Sequence, residues 1–171
     1  ATTKAYITGN LGADNLNSEA EVLMMSTALT SSSTAATTAT ALNSLDSNST
    51  DYVAGDTILI TGTKSDGTAV STTYTYAASD TVATLIAAIN TAFSGDATAS
   101  LDSSGKLILK ADTSGNDKLS LTLADNGSNT GKSTWTDHTF GGSTYSSSVN
   151  IFDSQGTQHT VSLRFTKQMD N

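Results

Sequence analysis

The chain has 171 residues, enough for one ordinary domain or two small ones, and 36% of them are apolar. Its formal charge is −8 and its pI about 4.3, with no cluster of Lys or Arg to neutralise phosphates, so nucleic acid is excluded as a partner. The absence of cysteine excludes disulfides, thiolate nucleophiles and cysteine-ligated metal centres. It also fits a bacterial or cytosolic origin better than a disulfide-stapled secreted domain. No apolar run is long enough for a bilayer-spanning helix, so no membrane role is expected. The opening ATTKAYITG is not a secretory leader, and the chain reads as a piece of a longer protein. Abundant Ser and Thr suit β-strands whose outer faces meet water.

In chain order, Ala1 to Thr8 alternates in the β sense, with Ala5 and Ile7 on one side, and ends at the turn signal Gly9-Asn10. Asn15 to Ser18 precedes a small apolar cluster. Ser31 to Thr50 is nearly all Ser, Thr and Ala, with Leu42 and Leu45 as its large side chains; it reads as a loose segment or a short helical piece. From Asp56 to Gly62 the alternation of Ile58 and Ile60 predicts a strand. Lys64 to Gly67 is a turn, and Val70 to Tyr76 a second strand.

Asp80 stands where an N-cap belongs. Behind it Val82, Leu85, Ile86, Ile89 and Phe93 recur at helical spacing, with Gly95 as the stop. Ala97 to Leu101 and Lys106 to Lys110 are strands around the turn Asp102 to Gly105, and Leu119, Leu121 and Leu123 mark another. The order β-β-α-β-β over residues 55–124 predicts one amphipathic helix on one face of a small antiparallel sheet. Asn126 to Thr144 is a polar return segment holding Trp135, His138 and Phe140. Asn150 to Lys167 closes the chain as a hairpin, with Val149 and Ile151 on one face of its first strand. Val161, Leu163 and Phe165 occupy one face of its second.

Three constellations could carry chemistry. Asp153, Ser154 and His159 lie within that hairpin, but no G-x-S-x-G elbow holds the serine, and an Asp-Ser-x-Gly turn serves a hairpin in its own right. Asp137 and His138 with Asp125 suggest a metal site, yet the ligand spacing of zinc sites is missing. Asp112 to Asp117 offers oxygen ligands for calcium without the order of an EF-hand loop. Trp135 with Phe140 is either an exposed platform or, by the usual burial of aromatics, the plug of a seam between two small domains. Asn48-Ser49-Thr50 and Asn126-Gly127-Ser128 match glycosylation sequons. No catalytic, cofactor-binding or metal-binding residue is assigned, no cofactor is expected, and the chain is not read as an enzyme.

Ala1 to Ser18, ATTKAYITGNLGADNLNS, resembles the segment that opens an outer domain of bacterial flagellar hook proteins. Asn150 to Lys167, NIFDSQGTQHTVSLRFTK, is similar to the hairpin of the same domain. Gly55 to Asp125 is similar to a module recurring in flagellin and hook-family proteins: GDTILITG, a helix ending AAIN, then TASLDSSGKLIL. The resemblance implies a mainly β (α+β) fold. Residues 1–21 with 146–171 would form an antiparallel hook-type outer domain, discontinuous and partial. Residues 22–145, with their core at 55–124, would be an inserted β-β-α-β-β domain of a kind that shorter hook proteins lack.

By function, the resemblance implies a structural subunit of the hook, the flexible helical tube that joins motor to filament as a universal joint. Its surface-exposed outer domains would make sliding subunit contacts. It further implies type III export, an extracellular place on the flagellum, and as partners copies of itself and other flagellar axial proteins, with self-assembly requiring terminal regions this chain lacks. An extracellular binding module, such as an adhesin or phage-tail domain stabilised by calcium, is the competing reading.

Overall fold

The computed structural model describes residues 20–114, 118–142, 144–152 and 158–166, the last two ranges by their backbone. The N-terminal resemblance, Ala1 to Ser18, therefore lies outside the described residues. Among the described residues the architecture is mainly β with one α-helix, and all the strand pairs are antiparallel.

Two sheets share a single hydrophobic core. The first has the order β11-β1-β8-β7, from Phe140–Gly142, Ala20–Met25, Leu107–Ser114 and Ala97–Leu101. The second has the order β6-β5-β9, from Ala69–Thr75, Thr57–Thr63 and Ser120–Asp125. Four of these strands bury alternate residues: Leu23 and Met25 on β1, Leu107, Leu109 and Ala111 on β8, Ile58 and Ile60 on β5, Leu121 and Leu123 on β9. Period-two burial on one face is what lets the other face carry Thr and Ser.

The helix α1, Val82–Ala92, buries Val82, Leu85, Ile86 and Ile89, and it packs on both β6 and β7. It thus closes the side of the core where both sheets end in those strands. This differs from one sheet under one helix. The hairpin β5–β6 and the hairpin β7–β8 lie in different sheets, because β9 pairs with β5 while β1 takes the free edge of β8. Four apolar stripes and a helix can then be buried around one core.

The helix cap also differs from expectation. Thr81 is the N-cap, extended at φ −119°, and its N–H donates to Thr84 Oγ1 at 3.1 Å. Asp80 instead accepts from Ala77 N–H at 2.8 Å and from the Tyr74 hydroxyl at 2.5 Å, which ties β6 to the start of α1. Gly95, at φ +79°, follows the last turn as expected.

Residues 31–50 are built from turns. Thr30–Ser31 (β2) and Thr34–Ala35 (β3) make a tight hairpin across Ser32 and Ser33, both at positive φ. The Asp46 carboxylate accepts both of their N–H groups at 2.8 Å, and those bonds hold its pKa below the usual carboxylate range. One 3-10 turn, Leu42–Ser44, sinks Leu42 into the core, so the helical part of the expectation is met by that single turn. Asn48–Thr50 (β4) pairs with Lys132–Ser133 (β10).

On β5, Gly62 is required by its neighbour: a Cβ there would stand 2.0 Å from the carbonyl oxygen of Ser120 on β9. The C-terminal hairpin is a sheet of its own, Thr144–Phe152 (β12) with Gln158–Thr166 (β13). Its register sets Val149 opposite Val161 and Ile151 opposite His159. Cross-strand partners share a side of a ladder, so both expected apolar stripes fall on the same side of the ribbon.

Candidate functional site

The return segment from Asn126 to Thr139 is held to the body by polar side chains. Asp56, buried at the start of β5, accepts N–H groups from Val53 (3.0 Å), Thr130 (3.0 Å) and Gly131 (2.7 Å). These bonds, that from Val53 foremost, hold its pKa below the ordinary value. Asn129 exchanges two hydrogen bonds with the backbone of Thr57, at 2.9 and 2.7 Å. Gly131 approaches the backbone of Tyr52 so closely that a Cβ would lie 2.4 Å from the Tyr52 Cα.

A chain of donors then runs inward. The indole N–H of Trp135, buried in the 3-10 turn Trp135–Asp137, donates to the Tyr52 hydroxyl at 2.8 Å. That hydroxyl donates to Asp125 Oδ1, whose other oxygen accepts the Ser133 N–H at 2.7 Å. Burial, followed by the bond to the Asp125 carboxylate, pushes the Tyr52 phenol well above its ordinary pKa. Trp135 is therefore core, as the burial of aromatics suggests, and Phe140 packs partly buried beside it.

Among the described residues, Asp125, Asp137 and His138 do not form a metal site. His138 is buried and its Nδ1 stands 3.0 Å from the carbonyl oxygen of Thr27, which requires that nitrogen to be the protonated donor. Asp125 serves Tyr52 and Ser133 instead. Among the described residues no group of three or more His, Cys, Asp or Glu is placed to hold a metal ion. Asp112 accepts from the Thr98 hydroxyl at 2.8 Å, while residues 115–117 of the calcium-like loop lie outside the described residues, as do Asp153 and Ser154. The Asn48 amide donates to the Leu42 carbonyl at 2.7 Å, so that sequon nitrogen is already engaged.

Beside the return segment runs an apolar groove of about 410 Å³, between β9 on one wall and Leu23, Trp135 and Phe140 on the other. Glu21, buried at one end, accepts the Leu119 N–H at 3.0 Å. All six residues from Leu119 to Ala124 line the groove. A strand offers only alternate residues to one face, so six in succession mean that the groove follows the edge of β9. Sequence reasoning did not find Tyr52, Asp56 or Glu21. Each works through a partner roughly seventy or more residues away, and only the lone acidic residues in apolar surroundings hinted at them.

Residues 122–171, running from the middle of β9 through the return segment to the hairpin, match the family model described as the flagellar basal body protein FlaE D2 domain. Over that segment the chain is similar to a flagellar hook-protein outer domain. The segment takes in less than a third of the chain, including the hairpin on which the sequence resemblance rests. Neither the curated proteins nor the solved structures gave a match. The hook-domain family is structural and its members belong to the flagellum, which agrees with the β-rich architecture of the described residues.

Proposed function

We propose that this chain is the outer part of a flagellar hook subunit, whose β surfaces make sliding contacts between subunits in the flexible tube that joins motor to filament. The observation that carries the reading is the hook-domain match over residues 122–171, which includes the hairpin β12–β13. Physical character supports it. A tube that bends while it turns needs contacts that exchange at low cost, and small, wet, polar contacts do so. A Ser/Thr-rich surface with a charge of −8 keeps such contacts weak and separate subunits soluble.

Residues 1–21 with 146–171 are the hook-type domain in this reading, residues 22–145 an outward addition to it, and the subunit reaches its place outside the cell by type III export. Other copies of the subunit and the adjoining axial proteins are its partners. The test is immunogold labelling of intact cells with antibody raised against residues 20–142. Gold confined to the hook is the expected result. Gold spread over the cell surface, with a large rise in melting temperature on adding calcium, would instead make the chain an adhesive module.

A further inference from the structure

We propose that the turn from Asn126 to Asn129 is a self-modifying site, in which Asn126 loses its side-chain amide by ring closure with Gly127 and becomes aspartate or isoaspartate. The reading stands independently of the role proposed above. Asn126-Gly127 is the one Asn-Gly pair in the chain. Glycine has no Cβ to hinder its nitrogen as it approaches the preceding side chain, and a Cβ built on Gly127 would meet nothing within 4 Å. Gly127 and Ser128 are exposed, so water reaches the turn.

Donors stand where charge develops in this reaction. Asn126 Oδ1 accepts the Ser128 N–H at 3.1 Å and the Ser128 hydroxyl at 3.0 Å. Negative charge builds on that oxygen as the Gly127 nitrogen adds to Asn126 Cγ, and the two donors stabilise it as an oxyanion hole does. The backbone carbonyl of Asn126 belongs to the same peptide unit as the Gly127 nitrogen. Its oxygen accepts the Lys132 ammonium at 3.1 Å and the Asn129 N–H at 3.1 Å. Both favour the deprotonated form of that peptide, which is the nucleophile. Among the described residues neither the Gly127 N–H nor Asn126 Nδ2 has a hydrogen-bond partner, so nucleophile and leaving group are both unencumbered.

The Gly127 N–H gives its proton to hydroxide, and its nitrogen bonds to Asn126 Cγ. The Cγ–Nδ2 bond breaks, and the amide nitrogen takes a proton from water and leaves as ammonia. The cyclic imide then adds water at either carbonyl and opens to aspartate or isoaspartate. Isoaspartate routes the backbone through the side chain and lengthens it by a methylene, just before the Asn129 that holds Thr57. The change is irreversible and loosens the return segment as the chain ages.

Asp66-Gly67, the one Asp-Gly pair, shows what the geometry adds. Asp66 likewise accepts the N–H two residues on, that of Thr68 at 2.8 Å. That bond holds its pKa below the ordinary value, so it stays a carboxylate, which resists attack by a nucleophile. The Gly67 N–H is already committed to the Lys64 carbonyl at 2.8 Å. One turn is locked and the other is poised.

The test is peptide mapping by mass spectrometry of the full chain aged in mildly alkaline buffer, both folded and in urea. At Asn126 the expected result is the mass gain of an amide exchanged for an acid, appearing as two species of equal mass, while the peptide holding Asp66 stays single. In the folded chain Ser128→Ala and Lys132→Met should each slow the conversion about two- to tenfold, the effect of one hydrogen bond. Trp135 emission verifies that both variants are folded. In urea the three chains should age alike, because the donors are then dispersed. An Asn126 that stays intact overturns the proposal, as do folded variants that age as fast as the parent. Equal slowing in urea overturns it too, since the folded geometry would then contribute nothing.

Discussion

The two sides of the body are closed by different means, and the contrast shows how one core can be sealed twice. On one side α1 spans β6 and β7 with Leu85 and Ile89 fully buried. On the other, the return segment reaches β5 through Asp56, Asn129 and the Trp135–Tyr52–Asp125 chain, and leaves a groove beside β9. Apolar burial is non-directional and tolerates small displacements, whereas hydrogen bonds between buried groups fix a register and cost heavily when one partner is lost. The helical side supplies cohesion, and the polar side fixes where the chain must lie.

The largest effect should come from the helical side. Ile89→Ala is expected to lower unfolding stability by about 2–5 kcal/mol, read by urea denaturation, because the side chain is fully buried. A loss within experimental error would show that α1 is not what holds the sheets together.

Next comes Tyr52→Phe, which leaves the Trp135 N–H without its acceptor and should cost about 1–3 kcal/mol. Trp135 is the sole tryptophan, so its emission follows the return segment alone. In this variant the emission transition should precede the loss of far-ultraviolet circular dichroism; coincident transitions would mean that the two sides unfold as one unit.

A smaller loss, about 0.5–2 kcal/mol, is expected for Thr81→Ala at the cap of α1. In its place Asp80→Asn should act through Tyr74 and β6, and a helix end that frays in Asp80→Asn but not in Thr81→Ala would reverse the assignment of the cap.

The mildest test is pH. Asp56, Asp46 and Asp66 have folded pKa values below their usual 3.8, so the unfolded chain binds more protons just below that value. Their contribution is complete above pH 3.8 and disappears as pH falls through the folded values. The melting temperature should drop on acidification below about pH 4, and less steeply in Asp56→Asn. Tyr52 and Tyr74 run the other way. Their raised pKa values make stability decline as pH climbs above 10.0, the ordinary phenol value.

What was legible in the sequence was local. The period-two runs of β5 and β9 and the helical spacing of Val82, Leu85, Ile86 and Ile89 each report one face of one element, and all were found. The distribution of strands over two sheets was not legible. β9 is as compatible with β8 as with β5 by pattern, and pairing is decided only when the core is filled. The cap was misplaced because Asp80 is the better N-cap residue by type. Thr81 prevails through Thr84 three residues on, while Asp80 is drawn off by Tyr74. Residues 31–50 looked loose because their order comes from side chains bonding backbone, as Asp46 does at Ser32 and Ser33, and such bonds leave no periodic trace. The chain from Trp135 to Asp125 was invisible for the same reason, since Tyr52 enters it from 83 residues away.

Leu23 pairs with Gly142, so the two strands that connect the body to the flanking chain run side by side, about 5 Å apart. Tension pulled through the polypeptide would cross from one strand to the other at that neck and bypass everything between them. The body can gain or lose bulk without altering the span of the chain that carries it. A pull applied through the flanking chain would leave the two sheets and their helix outside its path.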